Sequence, residues 1–276
     1  PIVRKPKVTT DDDEAVFYFP GCGAERLFSQ IGMAVLAMLY HQNVQTVLPP
    51  GYLCCGYPQE ANGDTILSKK MTTDNRVLFH RVANTLNYLD IKTVLLSCGT
   101  CIDQLLKYQF EKIFPGCRIM DIHEYLMEKN IKLDNSNGMK YVYHDPCHSP
   151  MKHYQPQSVV SSLMNGAVAM SDRCCGEAGT MAVSRPDIAT QIRYKKQQEL
   201  KLNLKTLQFE ALAVPQKVKL LTACPACVQG LSRYQKNTGL ETNFMVVEIA
   251  QQIYGKDWQQ LFMKEISQGG IEQVLL

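Results

Sequence analysis

Residues 93–101 read TVLLSCGTC and residues 218–227 read VKLLTACPAC. Each is a short β-prone run that ends on a CxxC pair and passes into a helical stretch. Working outward, Cys54-Cys55-Gly56 precedes the first pair and Cys174-Cys175-Gly176 the second, and a single cysteine, Cys22 or Cys147, opens each set. Both sets read C…CCG…CxxC, with equivalent cysteines 125, 120 and 126 residues apart (22 to 147, 54 to 174, 98 to 224). Of the 11 cysteines only Cys117 falls outside this order. A repeat ordered in this way marks an internal duplication.

The flanking segments repeat as well. Strand-like runs at Ala15 to Phe19 and Lys140 to Tyr143 lead to the first cysteine of each set. Helical stretches follow at Leu27 to Tyr40 and Gln155 to Asn165, then short strands at Val44 to Leu48 and Ala167 to Met170. After each CCG come longer helical regions, Lys69 to Leu89 and Pro186 to Leu202; the latter starts on proline, a natural first helical position. Past each CxxC lie helices at Ile102 to Ile113 and Cys227 to Gln235, and each half closes on a strand-helix unit, around Ile119 to Lys129 and Phe244 to Tyr254. Alternating strands and helices predict an α/β fold: two tandem similar domains, each a small, mostly parallel sheet of about four strands flanked by helices. The expected division is 1–14 as a mobile lead-in linker, 15–134 as the first domain and 139–276 as the second, with the polar turn Asp134-Asn135-Ser136-Asn137-Gly138 between them.

Composition bounds the function. The chain has 276 residues, 45% hydrophobic, which suffices for one or two cores and excludes a disordered chain. With 29 basic and 26 acidic residues the net charge is +3, which leaves no electrostatic footprint for nucleic acid. Leu27 to Gln59 carries no Asp, Glu, Lys or Arg, but polar residues and Pro49-Pro50 interrupt it, so no membrane span is expected. No secretory signal opens the chain, and its start at Pro1 reads as a processed chain or the carboxy-terminal piece of something longer. The expected location is therefore the cytoplasm, where clustered cysteines bind metal or do redox chemistry more often than they form disulfides; association with the inner face of a membrane stays open.

In parallel sheets, ligands bind beyond the carboxyl ends of the strands. Each set of five cysteines follows strand ends and should converge on one edge. Five free thiols there would carry little charge at neutral pH unless a metal stabilised the thiolates. A thioredoxin-type CxxC would leave the CCG pairs idle. Structural zinc needs four thiolates, which leaves one surplus. An iron–sulfur centre is the remaining reading. Cys117 reads as a buried packing residue. His144, Asp145 and His148 flank Cys147 and read as hydrogen-bonding groups around the centre, since a ligated cysteine is no free nucleophile. Arg26 and Arg173 read as charges offsetting the centre or as solvated side chains, and Glu177 and Thr180 as helix-starting residues.

The duplicated C…CCG…CxxC resembles the CCG cysteine-rich domain, whose members include a heterodisulfide reductase component and the iron–sulfur components of glycolate, lactate and anaerobic glycerol-3-phosphate oxidoreductases. The second half is the more similar, through His144-Asp145-Pro146-Cys147-His148 and Arg173-Cys174-Cys175-Gly176-Glu177-Ala178-Gly179-Thr180. The resemblance implies a 4Fe–4S cluster in each half, non-cubane and held by all five cysteines in the heterodisulfide reductase relative, with zinc an alternative in one half. Carried over, one centre takes Cys22, Cys54, Cys55, Cys98 and Cys101, and the other Cys147, Cys174, Cys175, Cys224 and Cys227. The implied function is electron transport in a flavin-linked 2-hydroxyacid oxidoreductase, from flavin to a quinone or thiol acceptor. The sequence has neither a Gly-rich dinucleotide fingerprint nor a ferredoxin cysteine run, so FAD and further clusters are expected in partners: a flavin-containing oxidase domain or subunit and a ferredoxin-like domain. The chain is then part of an oxidoreductase and not self-sufficient. The alternatives are disulfide reduction at the clusters themselves and a zinc-binding interaction domain.

Overall fold

A computed structural model describes residues 1–6, 13–136, 138–177, 181–209 and 217–274. Its strands are β1 (Ile2–Val3), β2 (Ala15–Phe19), β3 (Gln45–Val47), β4 (Ile91–Leu96), β5 (Arg118–Asp121), β6 (Lys140–His144), β7 (Val168–Ser171), β8 (Val218–Thr222), β9 (Glu241–Phe244) and β10 (Ile271–Glu272). The first sheet has the order β10-β1-β3-β2-β4-β5 and the second β7-β6-β8-β9. In both, the four strands of the repeat are parallel and carry the same order, which is the duplication in three dimensions. The fold is α/β with two mostly parallel sheets, as the alternation predicts.

Helices cover both faces of each sheet, so the central strands are apolar along their whole length: Val16, Phe17, Tyr18 and Phe19 are buried, as are Tyr141, Val142 and Tyr143. The outer face of the first sheet is closed by an aromatic group in which Phe79 meets Phe17 edge-on at 5.0 Å and stacks on Phe110 at 5.7 Å. The inner faces share a single apolar core that runs from one lobe into the other. There, helix Ser29–His41 of the first lobe packs on Met245–Tyr254 of the second, and Ile122–Glu128 of the first packs on Pro156–Met164 of the second. The pairing is reciprocal, as a pseudo-twofold arrangement requires. It also explains the uncharged run of sequence: Ser29–His41 buries Ile31, Ala34, Val35, Ala37, Met38, Leu39 and Tyr40 between the lobes, and a helix buried most of the way round has no face for charges.

Two segments depart from the sequence reading. The lead-in, expected to be a mobile linker, contributes β1, whose Ile2 is fully buried and which pairs antiparallel with β3. The carboxy-terminal segment, assigned by order to the second domain, adds β10 to the first sheet through β1 and lays Phe262 edge-on against Tyr40. A two-residue strand has no periodicity to read, and edge pairing across the whole chain leaves no local signal. Part of the lead-in, residues 7–12, and Asn137 of the interdomain turn lie outside the described residues.

Candidate functional site

The carboxyl ends of β2, β3 and β4 deliver Cys22, Cys54-Cys55 and Cys98 to one edge of the first sheet, and β6, β7 and β8 do the same for Cys147, Cys174-Cys175 and Cys224. Cys98 and Cys224 each precede a helix, Gly99–Leu105 and Pro225–Ser232, so the second cysteine of each CxxC lies in the first helical turn. Gly56 (φ +88°) and Gly176 (φ +76°) turn the chain after each Cys-Cys pair in the left-handed region, which a side chain would strain.

In the first half all five sulfurs form one connected group. Cys22 hydrogen-bonds Cys54, Cys54 bonds Cys55, Cys55 bonds Cys101, and Cys101 bonds Cys98. Cys54 and Cys98 accept, Cys22 and Cys101 donate, and Cys55 does both. Hydrogen bonds from Cys22 and Cys55 pull the Cys54 thiol down to about 3. A bond from Cys101 outweighs burial at Cys98 and brings it to about 6, with the Thr100 hydroxyl 3.1 Å from its sulfur. Cys22 and Cys101, the donors to these neighbours, are held protonated and pushed far up. At Cys55 the bond from Cys101 favours the thiolate, but the bond to Cys54 and burial prevail and lift it to about 12. The protons shared here are those a bound cation would replace.

In the second half, Cys175 is held far below the usual thiol range by hydrogen bonds from Cys174 and Cys227, with His144 adding to them. Cys174 and Cys227 are correspondingly raised, Cys227 also by Cys224. The fifth cysteine differs: Cys147 is exposed. From Cys147 the chain runs as a loop until Pro156, because Pro146 and Pro150 keep the intervening residues out of helix. In place of Cys147, the fully buried His144 approaches: one ring nitrogen and the sulfurs of Cys175 and Cys227 all lie within 4.8 Å of one another.

Tyr108 and Tyr234 went unremarked in the sequence. Each stands ten residues past the first cysteine of its CxxC (98 to 108, 224 to 234), and each donates its hydroxyl to the carbonyl of the second cysteine in CCG, to Cys55 at 2.9 Å and to Cys175 at 3.4 Å. Asn75 holds the same loop in the first half, with its amide 2.8 Å from the Cys54 carbonyl. The shared spacing was the available signal. Of the remaining candidates, Arg26 lies over the Tyr52 ring at 4.2 Å, Glu177 pairs with Arg233, Arg173 is exposed, and Cys117 packs against the first lobe's aromatic core, where burial raises it to about 11. Ala178, Gly179 and Thr180 fall outside the described residues.

The two cysteine groups face each other across the lobe boundary. A Cβ on Gly23, next to Cys22, would lie 3.0 Å from the Pro225 ring inside the second CxxC. A Cβ on Gly99, inside the first CxxC, would lie 1.7 Å from the carbonyl oxygen of His148, next to Cys147. Polar contacts fasten this junction: His148 Nδ1 is 2.6 Å and Lys152 Nζ 2.9 Å from the Asp103 carboxylate, and the Tyr57 hydroxyl meets His148 Nε2 at 3.0 Å. Burial alone would raise the Asp103 carboxyl, but His148 and Lys152 outweigh it and hold it below the usual range. A depressed native pKa stabilises above the unfolded value and is lost as pH falls through the native one. Asp103→Asn is expected to cost about 1 kcal/mol at neutral pH and nothing once both chains are protonated in acid. Thermal melting of the two proteins across pH measures this, and a difference that persisted in acid would refute an ionic clamp.

A duplicated α/β fold with a partly buried multi-cysteine group at the same strand edge of each lobe defines a class of cysteine-rich protein. The family model described as a cysteine-rich domain, CCG, matches twice, over residues 16–105 and 141–232, and the chain belongs to that family. A domain of unknown function (DUF3400) matches residues 232–276. Among curated relatives, an uncharacterized iron–sulfur protein of Methanococcus maripaludis is 25% identical over 88% of this chain and 47% of its own length. One of the subunits of the fumarate reductase (CoM/CoB) of Methanothermobacter marburgensis is 25% identical over 87% of this chain and 46% of its own. A probable glycolate oxidase iron–sulfur subunit of Bacillus subtilis is 22% identical over 85% of this chain and 53% of its own. The chain thus spans about half the length of these relatives. Among the described residues no helix is long and apolar enough to cross a membrane.

Proposed function

We propose that the chain is the iron–sulfur electron-transfer part of a flavin-linked 2-hydroxyacid oxidoreductase of the glycolate or lactate type. The observation that carries this reading is the gathering of cysteine sulfurs into one buried group per lobe, the two groups facing each other across the lobe boundary. The donors are soft thiols without a carboxylate among them, which suits iron–sulfur or zinc chemistry and not a hard cation. Cys22, Cys54, Cys55, Cys98 and Cys101 would hold a 4Fe–4S cluster in a first domain, 15–134. Cys174, Cys175, Cys224 and Cys227, with Cys147 at the rim, would hold the other in a second domain, 139–276. Bound clusters would supply one-electron redox chemistry. The chain's own part is to bury the sulfurs, fix the CCG loops through Tyr108 and Tyr234, and keep the lobes in register. The relatives named as subunits of oxidoreductases support partner subunits; in this reading a flavoprotein among them reduces the clusters and a quinone or thiol acceptor reoxidises them, with the chain in the cytoplasm.

Anaerobic purification followed by iron, zinc and acid-labile sulfide analysis tests the reading. Iron and sulfide in both halves are expected, with broad visible absorption that dithionite bleaches. A colourless chain holding zinc alone would overturn it. Turnover of a disulfide by the isolated chain would instead assign reduction to the clusters themselves.

A further inference from the structure

The two halves are not chemically equal. His144 stands three residues before Cys147, and its counterpart three residues before Cys22 is Phe19. The strand register confirms the match: Phe19 pairs with Leu96, two residues before Cys98, and His144 pairs with Thr222, two residues before Cys224. At one position the first site meets a phenyl ring and the second an imidazole.

That imidazole is held from behind. His144 Nδ1 is 3.1 Å from the Ser171 carbonyl oxygen, and Lys196, whose side chain is fully buried, lies behind it. The ammonium reaches Ser171 Oγ at 2.6 Å, Glu199 Oε2 at 3.0 Å and the Ser171 carbonyl at 3.3 Å. Ser171 Oγ in turn donates to Glu199 Oε2 at 2.7 Å. Lys196 Nζ also lies 3.1 Å from Nδ1, so the Nδ1 side of the ring is fixed by Lys196 and by the Ser171 carbonyl together. Nε2 is buried and, among the described residues, pairs with no nitrogen or oxygen, on a ring that faces the sulfurs of Cys175 and Cys227 and adds a hydrogen bond to Cys175. An imidazole anchored at one nitrogen by a backbone carbonyl and a buried ammonium, with the other turned on a group of thiolates, is placed as a metal-ligating histidine is, a bound cation replacing the proton shared with the sulfurs.

We propose that His144 is a metal ligand of the second half, binding through Nε2 beside Cys175 and Cys227, so that this centre has a nitrogen donor where the first has none. The proposal rests on the reading that both halves hold metal. It accounts for the exposure of Cys147, whose place among the donors His144 takes. Exchanging a thiolate for a neutral imidazole makes an iron–sulfur centre less negative and raises its potential, and the buried Lys196 ammonium acts in the same direction. The second centre is then the higher in potential and the first the one that passes electrons to it.

Pulsed EPR on the full chain labelled with 15N-histidine tests this, in a Cys54→Ser background that leaves the second centre as the paramagnet; a chain carrying zinc is first exchanged with Co2+. Strong nitrogen coupling is expected, as is its absence in His144→Phe. In the otherwise wild-type chain, His144→Phe should also lower the second centre's potential towards the first's and leave the first unmoved. A metal-loaded second half without histidine coupling overturns this proposal alone. A chain with no metal in either half overturns the functional reading with it. The labelled protein needs no substitution at His144, so poor folding of His144→Phe leaves the test intact.

Discussion

Cys54→Ser is expected to empty the first half and leave the second loaded, so that iron per chain falls to about half. Cys54 joins Cys22 to the rest of the first sulfur group, hydrogen-bonded to Cys22 on one side and Cys55 on the other, and it is the cysteine held most firmly as a thiolate there. A serine hydroxyl stays protonated under the same conditions and is a poor partner for iron. Its loss also separates Cys22 from the remaining three. Cys174→Ser should do the converse. The sharper comparison is between the two opening cysteines, equivalent in sequence and unlike in space. Cys22 is hydrogen-bonded into its group, whereas Cys147 is exposed and His144 stands nearer the sulfurs. Cys22→Ser should therefore lose most of the first half's metal, and Cys147→Ser much less of the second's. Cys117→Ser, against the aromatic core, should lose none. Metal analysis of the purified variants decides the matter, and equal losses from Cys22→Ser and Cys147→Ser would contradict the asymmetry.

The parts of this arrangement that sequence reveals are those governed by local pattern. β-branched and aromatic runs ending on cysteine specify strands whose carboxyl ends carry the sulfurs, and parallel connectivity then brings each set to one edge. The duplication supplies a check that a single copy would not. What stayed hidden depends on side chains meeting across long separations. The direction of the His144 ring is set by Lys196, 52 residues away, and by the Ser171 carbonyl. Lys196 itself reads as an ordinary residue on a charged helix; only the fold shows it fully buried. The uncharged run from Leu27 was visible as an anomaly, but its meaning needs a second lobe to bury it. The same holds for Gly99, whose CxxC spacing says nothing about which backbone lies against it.

Gly99→Ala should be among the most damaging single-methyl changes in the chain. The added Cβ would stand 1.7 Å from the His148 carbonyl oxygen, 2.7 Å from its carbon and 3.1 Å from the Pro150 nitrogen. All three are backbone atoms of the opposite lobe, and Pro150 stiffens them, so no side chain can swing aside. Two effects compete. Alanine gains up to about 1 kcal/mol over glycine as a helix former, and Gly99 opens a helix. Overpacking against fixed backbone costs about 3 kcal/mol or more and wins. For a chain of this size the net loss corresponds to a fall in Tm on the order of 5–10 °C. Relief comes only from moving the lobes apart at the junction where Asp103, His148 and Lys152 meet. The variant should therefore keep metal in both halves, whose sulfurs each belong to one lobe, while electron exchange between the centres slows. Gly63→Ala, where a Cβ meets nothing within 4 Å, is the control and should cost only its left-handed backbone strain, about 1–2 kcal/mol. Calorimetry with freeze-quench EPR of partly reduced protein measures both effects. A Gly99→Ala chain as stable as the wild type would mean that the lobes do not meet at this carbonyl.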